Sequence, residues 1–300
     1  MNSVRRTTPK TKPRPRRKSG AAVAVIRSTR LSPTELRNPR SMNLDRLPVA
    51  AAVELMLREE AKVTRVLLTK KVLLARAVTL VARAFKSGGR LFYFGAGTSG
   101  RLGVMDASEC PPTFRTDPAL VQGIIAGGDS ALRRAVEGAE DDALAGAREI
   151  KARRITARDV VVGIAASGTT RFVWGALGEA KRRRAATMLL CFNPHLVIPQ
   201  TLRPDMVIAP DLGPEVLTGS TRLKAGTATK LVLNILTTLA MVRLGKVASN
   251  LMVDVNPSNA KLRTRAVRIV QELTGAEASA AESALQKSGW VIRAACRQLR

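Results

Sequence analysis

A single histidine, His195, occurs in 300 residues, and aromatic side chains make up only 3% of the chain. The three cysteines, Cys110, Cys191 and Cys296, lie far apart and form no CxxC pair. Neither a zinc site nor a disulfide framework is suggested, which fits a reducing, cytoplasmic setting. With one histidine and no cysteine cluster, no metal is expected. A Ser-His-Asp arrangement would rest on His195 alone, which reads as a surface residue of the loop "NPHLV". The scarcity of aromatics argues against a base-stacking surface for nucleic acid. No apolar run approaches the ~20 residues that span a bilayer, so no membrane partner is expected. What remains, at 45% hydrophobic residues, is enough Ala, Leu and Val for a sizeable core.

Positive charge is abundant and unevenly spread. The net charge is +27, and residues 1–30 hold ten basic residues and no acid, leaving +17 on the other 270. The Pro- and Arg-rich segment 1–30 has too little apolar content to fold alone and reads as a disordered basic extension. Contact with a polyanion, a targeting role for "GAAVAVI", or a true start near Met42 stay open for it. Elsewhere the basic runs "KARR" and "KRRR" carry almost no interleaved aromatics, so a nucleic-acid groove is not expected.

After the extension, "LDRLPVAAAVELMLREEAKVTRVLLTKKVLLARAVTLVARAFKSGG" reads as two or more helices. Five short apolar runs follow, "RLFYFGAG", "LVQGIIAGG", "DVVVGIAASG", "TMLLCF" and "MVIAP", separated by helical patterns. Continuous apolar strands alternating with helices predict an α/β fold, a parallel five-stranded sheet covered on both faces. A long helix is expected from about Ser220 to Gly245, and further helices beyond Pro257. The division predicted is 1–30 extension, 31–250 main domain with N-terminal helices, and 251–300 C-terminal helical region.

Two of the strands end in polar turns that open helices, "GAGTSGRLG" at 95–103 and "ASGTT" at 166–170. Ligands of parallel sheets sit beyond the carboxyl ends of the strands. Helix N-termini present unpaired N–H groups to anions, and Thr98, Ser99, Ser167, Thr169 and Thr170 add hydroxyls. Each turn alone is equally well explained by glycine sterics; two in one sheet favour an anion site. Gly95, Gly97 and Gly100 match G-x-G-x-x-G, but no acidic residue ends the second strand to hold a ribose. NAD is therefore weakly supported. "GSTRLKAGTATK" lacks the ending of a Walker A loop.

Candidate acid/base groups are then carboxylates. In "MDASECPPTF", Pro111 and Pro112 forbid a helical continuation, so Glu109 is expected at a helix C-terminus. A glutamate there, in a partly dry cleft, would have a raised pKa, as a general acid or base near neutral pH requires. Cys110 beside it reads as an inert packed thiol. In "VEGAEDD", residues 136–142, Glu137 crowds Glu140 and Asp141 if the segment is helical, which costs a few tenths of a kcal/mol. Mid-helix Gly138 would cost about 1 kcal/mol more. A functional cluster and a solvated face balanced by Arg133 and Arg134 are equally open on these grounds.

The blocks "YFGAGTSGRLGVMDASECPPTF", "GIIAGG", "AVEGAEDD", "VVVGIAASG", "GPEVLTGSTRLKAGTATKLVLN" and "GKVASNLMVDVNPSNAKLRTRA" closely resemble the N-acetylmuramic acid 6-phosphate etherases. This family has the sugar isomerase (SIS) fold, a three-layer αβα sandwich, and is related to the glucokinase regulatory protein. The resemblance runs in order from "LSPTELRNPRSMNLDRLP" to the C-terminus. It implies cleavage of the D-lactyl ether of N-acetylmuramic acid 6-phosphate to N-acetylglucosamine 6-phosphate and D-lactate, in cell-wall sugar recycling, without metal or cofactor. It further implies catalytic roles for Glu109 and Glu140. Its sugar-phosphate contacts would be Gly97, Thr98, Ser99, Ser167, Gly168, Thr170, Ser220, Thr221 and Lys224. The expected partners are a small sugar phosphate and a second copy of the chain.

One departure stands out. Where the family reads "ASGRTPYV", this chain has "ASGTTRFV", with Thr169 for Arg, Arg171 for Pro and Phe172 for Tyr. That bears on substrate affinity more than on reaction type. Two rivals are a non-catalytic sugar-phosphate sensor of the same fold and a SIS-type transcription regulator. Glu109 and Glu140 argue against the first. The absence of a helix-turn-helix in the Pro/Arg-rich extension argues against the second.

Overall fold

The computed structural model describes residues 27–28 and 30–299; the expected basic extension lies almost wholly outside them. Among the described residues seven strands form: β1 Arg27–Ser28, β2 Leu91–Gly95, β3 Val121–Ile125, β4 Val160–Ile164, β5 Ala186–Leu190, β6 Leu196–Val197 and β7 Met206–Ile208. Five make a parallel sheet of order β3-β2-β4-β5-β7, and β1 pairs antiparallel with β6 in a two-residue ribbon. The helices are α1 Val49–Leu68, α2 Lys71–Lys86, α3 Gly97–Phe114, α4 Ser130–Arg133, α5 Ala143–Ala152, α6 Arg171–Arg182, α7 Lys224–Arg243, α8 Ala260–Thr274, α9 Ala278–Lys287 and α10 Ile292–Gln298.

The central strands are apolar throughout because both faces are covered. In β2, Leu91 and Tyr93 point into one cluster with α2 and α7, while Phe92 and Phe94 point into the other with α5 and α6. The result is the expected three-layer sandwich. By length and mean hydropathy (1.4), α7 is apolar enough to cross a bilayer, although no run of that length is expected from the sequence. Here it packs against α1, α2 and α3, burying Val232, Leu233, Leu236, Ala240 and Met241. A core helix is apolar for the same reason a spanning one is.

Helix α3 departs from expectation. It continues through Pro111 and Pro112 to Phe114 and closes on Arg115 in the left-handed conformation (φ 49°). An interior proline costs ~3 kcal/mol or more by removing an N–H and crowding the preceding turn. Tertiary bonds offset this at the helix end. Pro112 O accepts the Asn256 N–H at 3.1 Å, and the Arg115 guanidinium donates to Val255 O and Trp290 O at 3.3 and 2.9 Å. The helix end is thus the dock for the C-terminal region, whose helices α8–α10 have their own apolar cluster around Val255, Ile269, Leu285 and Ile292.

A second departure lies at "VEGAEDD". It is not helical beyond α4: Gly138 takes φ +73° and opens a 3-10 turn, Ala139–Asp141. The left-handed conformation costs glycine little, and α4 has already ended at Arg133. The supposed mid-helix penalty therefore does not arise, and Glu140 is carried on a turn.

Candidate active site

The chain leaves β2 through α3 to β3 on one side, and leaves β4 through α6 to β5 on the other. Adjacent strands whose connections run in opposite directions open a crevice at their carboxyl ends. A cleft of about 410 Å³ lies there, within the range that holds small-molecule ligands. Its walls include Ala96–Ser99 at the start of α3, Ile164–Ser167 and Thr170 before α6, and Gly219 and Thr221 before α7. Glu140, Arg101 and Glu35 complete it.

The first turn needs its glycines for close approach. A Cβ on Gly95 would stand 2.7 Å from Gly100 N, and one on Gly100 would stand 2.6 Å from Ile125 Cγ1 and 2.8 Å from Gly95 O. Both lie far inside van der Waals contact, so α3 begins tight against the strand ends. The second turn is locked from below. Buried Trp174 donates Nε1–H to Gly168 O at 2.7 Å, and Asn193 Nδ2 donates to Ser167 O at 3.2 Å. On its open side, the Ser167 and Thr169 hydroxyls lie 2.8 Å apart.

Electrostatics separate the three helix starts at the cleft. Neither Ala96 before α3 nor Thr170 before α6 supplies a side-chain cap, so their terminal N–H groups and positive dipole ends face the cleft. The start of α7 is already neutralised. Buried Glu215 accepts Lys224 N–H at 3.0 Å and Ala225 N–H at 2.9 Å. Burial raises the Glu215 carboxyl pKa despite those two donors. An anion is therefore drawn to α3 and α6.

The cleft gathers Gly97, Thr98, Ser99, Ser167, Thr170, Thr221 and Glu140 from the expected set. Gly168 and Ser220 lie beside it without lining it. Lys224 is directed elsewhere. It is 1% exposed, and its Nζ donates to Glu59 Oε2 at 2.8 Å and Pro214 O at 2.7 Å. A buried lysine needs such partners, and neither they nor Lys224 line the cleft. Burial acts to raise the Glu59 carboxyl, but the bonds from Lys224, Lys62 and Asn38 hold it down at about 2.

Glu109 also lies away from the cleft. It is exposed, and it stands ten residues after Ser99, about 15 Å along the α3 axis. The dry cleft expected around it is not there, and since α3 runs on to Phe114 it is not a terminal residue. Cys110 fits the expected inert thiol: burial pushes it up to about 12, with Asp106 and Glu109 adding to the effect. His195 does not line the cleft; its N–H donates to Asn193 Oδ1 at 3.1 Å. Among the described residues, no three His, Cys, Asp or Glu side chains gather as metal ligands would.

Glu35 and Arg101 were not anticipated. Arg101 sits one turn into α3 and donates Nε–H to Leu132 O at 3.0 Å, tying down the chain that leads to Glu140. Its position after "GTSG" was a signal available in the sequence. Nothing local marks Glu35, which reaches the cleft only through long-range folding.

Comparison with known proteins agrees with the fold. The family described as the glucokinase regulatory protein N-terminal SIS domain matches residues 73–181. The C-terminal lid domain of glucokinase regulatory protein matches 249–298. A Bacteroides fragilis chain proposed to be a phosphosugar isomerase involved in capsule formation superposes with a TM-score of 0.50 at 18% identity. That superposition covers 68% of this chain and 95% of that one, which supports the fold alone. Sequence relatives are far nearer. The N-acetylmuramic acid 6-phosphate etherase of Serratia proteamaculans is 53% identical over 87% of this chain and 88% of its own. That of Gloeobacter violaceus is 57% identical over 87% of this chain and 85% of its own. With more than half of the positions identical over 87% of its length, the chain belongs to the N-acetylmuramic acid 6-phosphate etherase family.

Proposed function

We propose that this chain is an enzyme that cleaves the D-lactyl ether of N-acetylmuramic acid 6-phosphate, releasing D-lactate and N-acetylglucosamine 6-phosphate. The observation that carries the reading is Glu140 in one cleft with two uncapped helix starts and their hydroxyls. The helix starts hold the phosphate. In the open-chain sugar the C2 proton is acidified by the neighbouring aldehyde. A carboxylate removes it, the C2–C3 double bond forms, and the C3–O bond breaks with lactate taking the electron pair. Water then adds across the double bond: hydroxide attacks C3 and a proton returns to C2. Glu140 serves as one acid/base group.

Glu109 serves as the other in this reading, supplied by a second copy, because the α3 rise keeps it about 15 Å from its own cleft. Two features support a homodimer. Met105, one turn before Glu109, is 42% exposed, and α1 leaves Val49, Val53 and Leu57 open to solvent. The body bearing the cleft is 31–250, the helical region 251–300 packs at the end of α3, and 1–30 is an accessory extension. Action in the cytoplasm, in recycling of cell-wall amino sugars, follows from the substrate. The glucokinase regulatory protein matches favour one alternative, a sugar-phosphate sensor without chemistry. Incubation with N-acetylmuramic acid 6-phosphate and assay for D-lactate decides between them: release is expected, and none across pH 6–9 would leave only the sensor.

A further inference from the structure

The carboxylates lining the cleft are Glu140 and Glu35. Glu35 ends a 3-10 turn, Pro33–Glu35, in a segment that lies across the loop before α7. That segment is pinned to the loop by long-range bonds. Gly219 N–H donates to Thr34 O at 3.0 Å, Asn38 Nδ2 to Pro214 O at 3.1 Å, and the Ser41 hydroxyl to Val216 O at 2.7 Å. The carboxylate is exposed and reaches toward Gly219. Oε1 accepts the Thr34 hydroxyl at 3.3 Å, and Oε2 stands 3.5 Å from where a Cβ on Gly219 would be.

We infer that Glu35 is a substrate-binding residue that accepts a hydrogen bond from a neutral donor of the sugar, a hydroxyl or the amide N–H. This rests on the sugar-phosphate reading above and adds a specificity residue to it. A carboxylate repels the phosphate and the lactyl carboxylate, so its place in the cleft requires a neutral donor opposite it. The helix starts agree with that polarity. The anion is drawn to α3 and α6, while the α7 start beside Glu35 is already neutralised by Glu215. The phosphate therefore lies against the strand ends, and the sugar's donors face the wall that bears Glu35. Because the segment is tied down before ligand arrives, little ordering cost falls on binding.

Calorimetric titration of the wild type, Glu35→Ala and Glu35→Gln with N-acetylglucosamine 6-phosphate and with inorganic phosphate tests this. Glu35→Ala should weaken the sugar phosphate by roughly 10- to 100-fold, the worth of one hydrogen bond to a charged group. Its affinity for inorganic phosphate should stay within about twofold, since the helix starts are untouched. Glu35→Gln, whose amide oxygen still accepts, should recover part of the loss. Equal sugar-phosphate affinity in Glu35→Ala overturns the inference. So does an equal loss for both ligands, which would mean that the segment only supports the fold. D-lactate release by the wild type is measured on the same preparation. If it occurs while Glu35→Ala binds normally, only Glu35 loses its role. If the wild type neither binds the sugar phosphate nor releases lactate, the functional reading falls and takes this inference with it.

Discussion

Glu140 and Glu109 separate the chemistry that a cleft can assign from the chemistry it cannot. Glu140 is exposed on a short turn and is not part of the packed interior. Glu140→Gln should therefore leave the melting temperature nearly unchanged while turnover falls by roughly 10²–10⁴, the worth of a positioned acid or base. A variant with wild-type lactate release would remove Glu140 from the chemistry. Both carboxylates were singled out from the sequence, but on grounds the structure revises. Glu140 is expected on a helix and stands on a turn, because α4 ends at Arg133 and Gly138 at φ +73° then opens a 3-10 turn. Glu109 was read at a helix end and stands within α3, because tertiary bonds at Pro112 and Arg115 outweigh the local proline penalty. Local propensity cannot report bonds to residues 140 or more positions away. Lys224 and Glu35 show the same limit from opposite sides: one polar residue of a glycine-rich block turns inward to Glu59, and one glutamate of an unremarkable N-terminal stretch turns into the cleft.

At the scale of elements the sequence was more legible. Continuous apolar strands announce a parallel sheet because both faces are buried, and alternating helices announce the two outer layers. The two helix-opening turns could be placed because ligand crevices form at the carboxyl ends of such strands. The turn after β2 depends on contact that a single methyl would break. Gly100→Ala would set its Cβ 2.6 Å from Ile125 and 2.8 Å from a backbone oxygen. Stability should fall by about 1–3 kcal/mol, as for other overpacked sites, with loss of sugar-phosphate binding as the helix start shifts. Unchanged unfolding midpoints in urea would show that the turn has room.

The contact between α1 and α7 carries a pH dependence of its own. Glu59 is held at about 2 against an ordinary 4.5. A depressed carboxyl contributes stability above the unfolded value, and that contribution is lost as pH falls through 4.5 toward 2. The shift corresponds to about 3 kcal/mol. Urea unfolding of the wild type at pH 7, 4 and 3 should show this decline. The double variant Glu59→Gln/Lys224→Met, which removes both buried charges, should show a shallower one. Parallel declines would place the acid sensitivity elsewhere.

For the whole molecule, the N-terminal region divides into two parts of unequal consequence. A chain beginning at Leu31 loses only the β1–β6 ribbon among the described elements and should keep its fold and turnover. A chain beginning at Val49 loses Glu35 and the bonds of Thr34, Asn38 and Ser41 to the α7 loop. It should lose activity even where it still folds. Equal activity in the two truncations would leave the 31–48 segment without a role at the cleft.

Assembly is tested by mixing two inactive variants. If each cleft combines its own Glu140 with Glu109 from a second copy, Glu140→Gln and Glu109→Gln are both inactive alone. A hybrid dimer then contains one cleft with both substitutions and one with neither. Random exchange of subunits between equal amounts makes half the dimers hybrid, so about a quarter of all clefts are restored, by the two-fold symmetry of an isologous pair. Lactate release after co-refolding should rise to about that fraction of the wild-type rate. If Glu109 instead served its own cleft, every cleft in every hybrid would carry one substitution, and mixing would restore nothing. If Glu109 had no chemical role, Glu109→Gln would be active before mixing. The three outcomes differ in a single assay, and the second would contradict a glutamate held about 15 Å along a helix from the cleft of its own chain.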